Sequence, residues 1–145
     1  MIPDSIQSAM SRQVGKVKRS PDELPRVSAC LAALGLSGDQ QLKEFFEAFK
    51  LSGVLSRRPH ELLDLCSPTP QIEEATNFGR DTYEIAENFI CLTSGEGEGF
   101  ILYSKCDGKV YDLCVNQLDA LEAGSIDATW PSFYDLIEWY LSRDL

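Results

Sequence analysis

The residues with which this chain can do chemistry are few: one histidine, one glycine-rich acidic loop, five cysteines and a surplus of carboxylates. His60 lies in Arg57-Arg58-Pro59-His60-Glu61. Any histidine-based triad or dyad has to use it, and no nucleophile motif surrounds it. It reads as a surface or structural residue, and metal sites built from several histidines are excluded by count. The loop Ser94-Gly95-Glu96-Gly97-Glu98-Gly99 is not a phosphate loop, because no Gly-Lys-Ser/Thr follows. It leads into a predicted strand, so no helix N-terminus waits to hold phosphate. Glu96 and Glu98 can at most touch a divalent ion weakly. The loop reads as a flexible hairpin connection or as a protein-binding loop whose two carboxylates adapt to a basic partner. Nothing shows which two of the other carboxylates converge, so acid–base catalysis is unsupported. Cys30, Cys66, Cys91, Cys106 and Cys114 are odd in number and lack CxxC spacing. Neither a zinc site nor a redox motif is indicated, and buried, reduced thiols are expected. The expectation is therefore no catalytic, cofactor-binding or metal residue, and no cofactor.

Length and charge narrow the function further. A chain of 145 residues and 16.2 kDa, 43% hydrophobic, fits one globular domain. No apolar run approaches the roughly 18 residues that span a bilayer. The start, MIPDSIQSAMSRQ, lacks the basic and apolar regions of a secretion signal, so a cytoplasmic location is expected. The net charge of −10 is unevenly placed. Residues 1–60 hold nine Lys/Arg against six Asp/Glu, net +3, whereas residues 61–145 hold four against seventeen, net −13. Phosphate repels that second part, which argues against nucleic acid, and a basic protein is its natural complement. Residues 4–18 are basic and weakly amphipathic, with too small an apolar face for a membrane.

The elements that must position these residues follow from periodicity. Ile6, Met10, Val14 and Val17 predict a helix over 4–18. Ser20-Pro21-Asp22-Glu23 reads as a helix start, with Leu24, Val27, Leu31 and Leu34 as its stripe and Gly35 as its end. Asp39 can cap a helix presenting Leu42, Phe45, Phe46 and Phe49. Short strands are expected at Val54–Ser56 and Glu61–Cys66. Thr69 is expected to cap a helix over 71–80 with Ile72, Ala75 and Phe78 inward. Phe89–Thr93, Phe100–Cys106 and Lys109–Val115 read as an antiparallel meander, the last two joined by a two-residue Asp107-Gly108 turn. Counting outward from that turn sets Leu102 opposite Leu113 and Phe100 opposite Val115. One face, Phe100, Leu102, Tyr111, Leu113 and Val115, is then the core face. The other, Ile101, Tyr103, Lys105, Val110, Asp112 and Cys114, is mixed. Residues 116–128 form a connector with a turn of helix around Leu118 and Leu121. Ser132 and Asp135 match a capping box for a last helix, whose stripe is Phe133, Leu136, Ile137, Tyr140 and Leu141. Trp130 and Trp139 read as core or lid residues, with Trp139 half exposed. The class is α+β, one domain over 1–145: an N-terminal helix or arm over 1–19, then a core over 20–145 whose antiparallel sheet is covered by N-terminal helices and a closing C-terminal helix.

This order of pieces resembles the SUKH superfamily, which includes the Smi/Knr-like cell-wall assembly regulators and many bacterial immunity proteins. The segments that carry the likeness are GLSGDQQLKEFFEAF over 35–49, GEGEGFILYSKCDGKVYDL over 95–113 and SFYDLIEWYL over 132–141. Ser37-Gly38 and Leu51-Ser52-Gly53 stand where that family often has Pro and Asn-Gly. The resemblance implies an α+β fold, no enzyme activity and, in bacteria, a protein that binds and neutralises a toxin domain, often a nuclease. A basic toxin fits the net −13 of residues 61–145. The contact is then expected at Glu96, Glu98, Asp107, Asp112, Asp119 and Glu122 for steering and ion pairing, with Tyr103 and Trp139 as anchors. The rival readings are a regulatory scaffold that binds another cellular protein, and a small-molecule binder or hydrolase with a pocket between helices and sheet.

Overall fold

Three strands form an antiparallel sheet in the order β1-β2-β3, with β1 at Phe89–Cys91, β2 at Gly99–Ser104 and β3 at Val110–Cys114. The computed structural model describes residues 1–95 and 99–143. Around the sheet lie α1 (Asp4–Ser11), α2 (Leu24–Ala33), α3 (Gln40–Ala48), α4 (Gln71–Tyr83), α5 (Leu118–Glu122) and α6 (Phe133–Leu141). The class is α+β, with helices first and a helix closing the chain.

The register differs from the expected one by two residues. Phe100 faces Leu113, Leu102 faces Tyr111 and Tyr103 faces Val110. The cause is the turn. Only Gly108 takes a positive φ, at 75°, and Asp107 does not join it as a two-residue primed turn requires. Asp107 instead accepts the Lys109 N–H on its own carboxylate at 3.0 Å. The hairpin closes as a four-residue loop, with Gly108 N–H donating to Ser104 O and Ser104 N–H to Lys109 O, both at 2.9 Å. A slip of two leaves every side chain on its expected face, since the strand period is two.

Both faces are nevertheless buried, and the larger core lies on the face expected to be mixed. Ile101 and Val110 are 0% exposed and Tyr103 is 3% exposed. They pack with Ile6 and Met10 of α1, Val27 and Leu31 of α2, Phe45 and Phe46 of α3, and Phe133 and Ile137 of α6. Of the polar members of that face, Lys105 follows β2 and Cys114 ends β3, while Asp112 lies mid-strand on the edge strand β3 and is exposed. The other face, with Phe100, Leu102 and Leu113, builds a smaller core against Ala75 of α4, Ile85 and Leu121 of α5.

Other local expectations are corrected. The first helix stops at Ser11, and the chain then runs extended beside residues 49–55, where Lys18 bridges Phe49. The two backbones approach closely through Gly15 and Gly53. A Cβ on Gly15 would lie 2.5 Å from Gly53 O, and one on Gly53 would lie 2.6 Å from Lys16 O. Val14, expected in the helical stripe, is 88% exposed. Residues 54–56 and 61–66 are not strands, although Leu63 N–H donates to Leu92 O beside β1. Pro70, not Thr69, occupies the cap position of α4, and Phe78 is exposed on it while Thr76 and Gly79 turn inward. The Ser132 cap is as expected: its side chain accepts from the Asp135 N–H.

Charge also enters the interior. Arg19 and Asp64 are buried and meet in a two-pronged pair, with Nη2 to Oδ1 at 3.0 Å and Nη1 to Oδ2 at 3.1 Å. Asp64 accepts further from the N–H groups of Leu51, Cys66 and Ser67. Arg19 donates further to the carbonyls of Phe46 and Phe49 and to Glu23. The Ser67 hydroxyl donates to Glu23. This cluster ties residues 19–23, the end of α3 and the segment 64–67 into one unit.

Candidate partner-binding surface

The last helix ends against a basic loop, and that contact builds the surface. The C-terminal carbonyls of a helix lack partners within the helix and carry partial negative charge. Here the Ser56 hydroxyl donates to Tyr140 O at 2.6 Å and Arg58 Nε donates to Trp139 O at 3.0 Å. Capping in this way lays the Arg58 guanidinium 4.6 Å over the Trp139 ring, a cation–π arrangement. Trp139 also meets Trp130 at 4.9 Å between ring centroids and His60 at 5.6 Å. Trp130 is fixed by exchanging backbone hydrogen bonds with Val110 at the outer edge of β3. His60 points its Nε2 at Asp112 Oδ2, 3.5 Å away, while its Nδ1 has no hydrogen-bond partner among the described residues. Arg58, His60, Trp130 and Trp139 are all half buried, so an aromatic and arginine patch faces solvent on a rigid base.

The residues expected at a partner contact fall in different places. Trp139 and Asp112 are brought together through His60. Asp107 is exposed in the β2–β3 turn. Asp119 and Glu122 are exposed on α5, which covers the opposite face of the sheet. Tyr103 is no surface anchor: it is buried, and its hydroxyl donates to Asp39. Burial and the adjacent Asp39 carboxylate push its ionisation well above the ordinary tyrosine value. Glu96 and Glu98 lie outside the described residues. Arg58 and Trp130 were missed as members of the patch. Their signal in the sequence was faint, a basic pair at 57–58 with no periodicity to link it to the last helix.

An open cleft of about 480 Å³ lies between the α2–α3 turn, the β2–β3 turn and the start of α6. Asp39, Lys105 and Asp107 line it. Asp39 caps α3 through the Leu42 N–H and accepts from Tyr103, and Lys105 donates to Leu34 O at 3.0 Å. Two of its three charged groups are thus committed to holding the fold.

The cysteines divide. Cys66 and Cys91 are buried, Cys30 is half buried, and Cys106 and Cys114 are exposed. All five are free thiols. The expectation of burial fails for Cys106 because it belongs to the longer turn, and for Cys114 because it ends β3 at the rim. Among the described residues, no group of three or more His, Cys, Asp or Glu is placed to hold a metal ion, and no helix is long and apolar enough to cross a membrane. No family model and no curated protein matches the chain.

Proposed function

We propose that this chain is a non-enzymatic protein-binding module whose contact surface centres on Trp139. The observation that carries this reading is the half-exposed cluster of Trp139, Trp130, His60 and Arg58 beside Asp112. Tryptophan, tyrosine and arginine dominate the binding energy of protein interfaces, and a preformed cluster of them loses little entropy on binding. On the finer reading, the module is a bacterial immunity protein that neutralises a basic toxin domain in the cytoplasm. Its support is the SUKH-like order of residues 35–49, 95–113 and 132–141, and the net −13 of residues 61–145, which suits a cationic partner. The test is co-expression with the toxin domain encoded beside this gene. The wild type restores growth and co-purifies with the toxin as a complex. Failure of both growth rescue and binding overturns the immunity reading.

A second reading has an observation of its own. The open cleft with Asp39 and Asp107 on its wall fits a small polar ligand. A ligand screen by thermal shift in which every hit is abolished by Asp107→Ala, in the absence of any protein partner, would favour it.

A further inference from the structure

In an acidic protein, segments 5–21 and 48–60 hold no acidic residue and carry seven of the 13 Lys and Arg. The fold lays them side by side. Lys18 bridges Phe49, and the Gln13 side chain bonds both the N–H and the C=O of Leu55. Along residues 16–19 the side chains alternate, Val17 and Arg19 inward and Lys16 and Lys18 outward, and Arg12 and Val14 are exposed in the turn after α1. Val14 and Leu55, 88% and 68% exposed, line a cleft of about 250 Å³ together with Arg12, Arg57 and Arg143. Among the described residues, none of Arg12, Lys16, Lys18, Arg57 and Arg143 forms a salt bridge. Among the described residues, Glu138 borders an adjoining cleft, where its carboxylate accepts from Ser5.

We infer that this cationic ribbon is a docking site for an acidic protein segment bearing an aliphatic side chain. The carboxylates of the segment pair with Arg12, Arg57 and Arg143, and the aliphatic group seats between Val14 and Leu55. Charge complementarity selects an anion, and the two exposed aliphatic side chains select one that carries an apolar group. A nucleic-acid backbone offers no such group, and the net −13 of residues 61–145 repels a long polyanion. A bilayer is disfavoured because the apolar face of α1, Ile6 and Met10, is spent in the core. The inference stands independently of the Trp139 surface, which lies on other residues.

The experiment uses the full chain and a dye-labelled peptide of glutamate pairs alternating with single leucines, read by fluorescence anisotropy. The peptide binds and is weakened by salt. Arg12→Glu/Arg57→Glu/Arg143→Glu weakens it by at least about tenfold, as reversal of several rim charges does. Val14→Ser/Leu55→Ser weakens it several-fold, and a serine-for-leucine peptide binds the wild type as poorly as the leucine peptide binds that variant. Lys109→Glu, an exposed charge elsewhere, leaves affinity unchanged. Circular dichroism confirms that each variant is folded. No peptide binding, or equal binding by the charge-reversed protein, overturns the proposal. So does tighter binding of single-stranded DNA or phosphatidylserine vesicles than of the peptide. Concentration-dependent self-association abolished by the same substitutions would assign the ribbon to a second copy and overturn it as well.

Discussion

Two arginines of this molecule do opposite things. Arg19 is buried, and Asp64, Glu23 and the carbonyls of Phe46 and Phe49 take up its donors. Arg58 lies half buried over Trp139, bonded to one helix carbonyl and facing solvent. A buried charge is tolerated only when its partners are complete, and a complete set leaves nothing to offer a ligand. The Trp139 cluster is different, because Trp139, Trp130 and Arg58 are only half buried and keep surface exposed to solvent. The difference separates a cluster that holds the fold from one available for recognition, although both are built from arginine, carboxylate and neighbouring side chains.

The sharpest way to break that contrast is to remove one carboxylate from each cluster. Asp64→Ala leaves the Arg19 charge buried without its main partner and should cost about 3–5 kcal/mol. Asp112→Ala removes a half-exposed partner of His60 and should stay within about 0.5 kcal/mol. Chemical denaturation measures both, and similar losses would erase the distinction. An acid titration gives a smaller effect. The Ser67 hydroxyl, the Ser20 N–H and Arg19 outweigh burial and hold the Glu23 carboxyl at about 2, below its ordinary 4.5. Because the folded value is depressed, this stabilisation is complete above pH 4.5 and is lost as the pH falls towards 2. Glu23→Gln should flatten the stability profile across that window, and an unchanged slope would contradict the assignment. Arg58→Ala should cost only about 1 kcal/mol or less in stability, the worth of a half-exposed cation–π contact.

Thiol reactivity sharpens the same contrast without substitutions. Burial pushes the Cys91 thiol up to about 12 and raises Cys66, which sits 3.3 Å from Arg19 in the buried cluster. Alkylation of the native protein should therefore modify Cys106 and Cys114 first. Cys66 and Cys91 should react only on unfolding. Mass spectrometry of timed samples reads the order, and early labelling of Cys66 would mean that the Arg19 cluster opens readily.

The elements were legible where one local pattern decides them. The Ser132–Asp135 cap and the stripe of Phe133, Leu136, Ile137 and Tyr140 give α6, and the meander follows from alternating residues between turn signals. The hairpin register was not legible, because Asp107-Gly108 is compatible with both a tight and a four-residue turn, and the carboxylate of Asp107 favours the second. The burial of both sheet faces was hidden too. Lys105, Asp112 and Cys114 made one face look mixed, although Ile101, Tyr103 and Val110 on it are buried. The Arg19–Asp64 pair joins residues 45 positions apart, and no periodicity announces such a contact. For the candidate surface, Trp139 and Asp112 were legible one at a time. Their junction through His60 depends on how the loop at 56–60 caps α6, which only the folded chain reveals.

The most direct test of the central claim is isothermal titration of the proposed toxin partner against the wild type and Trp139→Ala, with the stability of both proteins measured alongside. If the Trp139 cluster anchors a partner, the substitution should weaken affinity by at least about tenfold, as loss of an interface anchor does, in a protein that remains folded. Equal affinity in a folded Trp139→Ala protein would contradict the account and move the contact to another face.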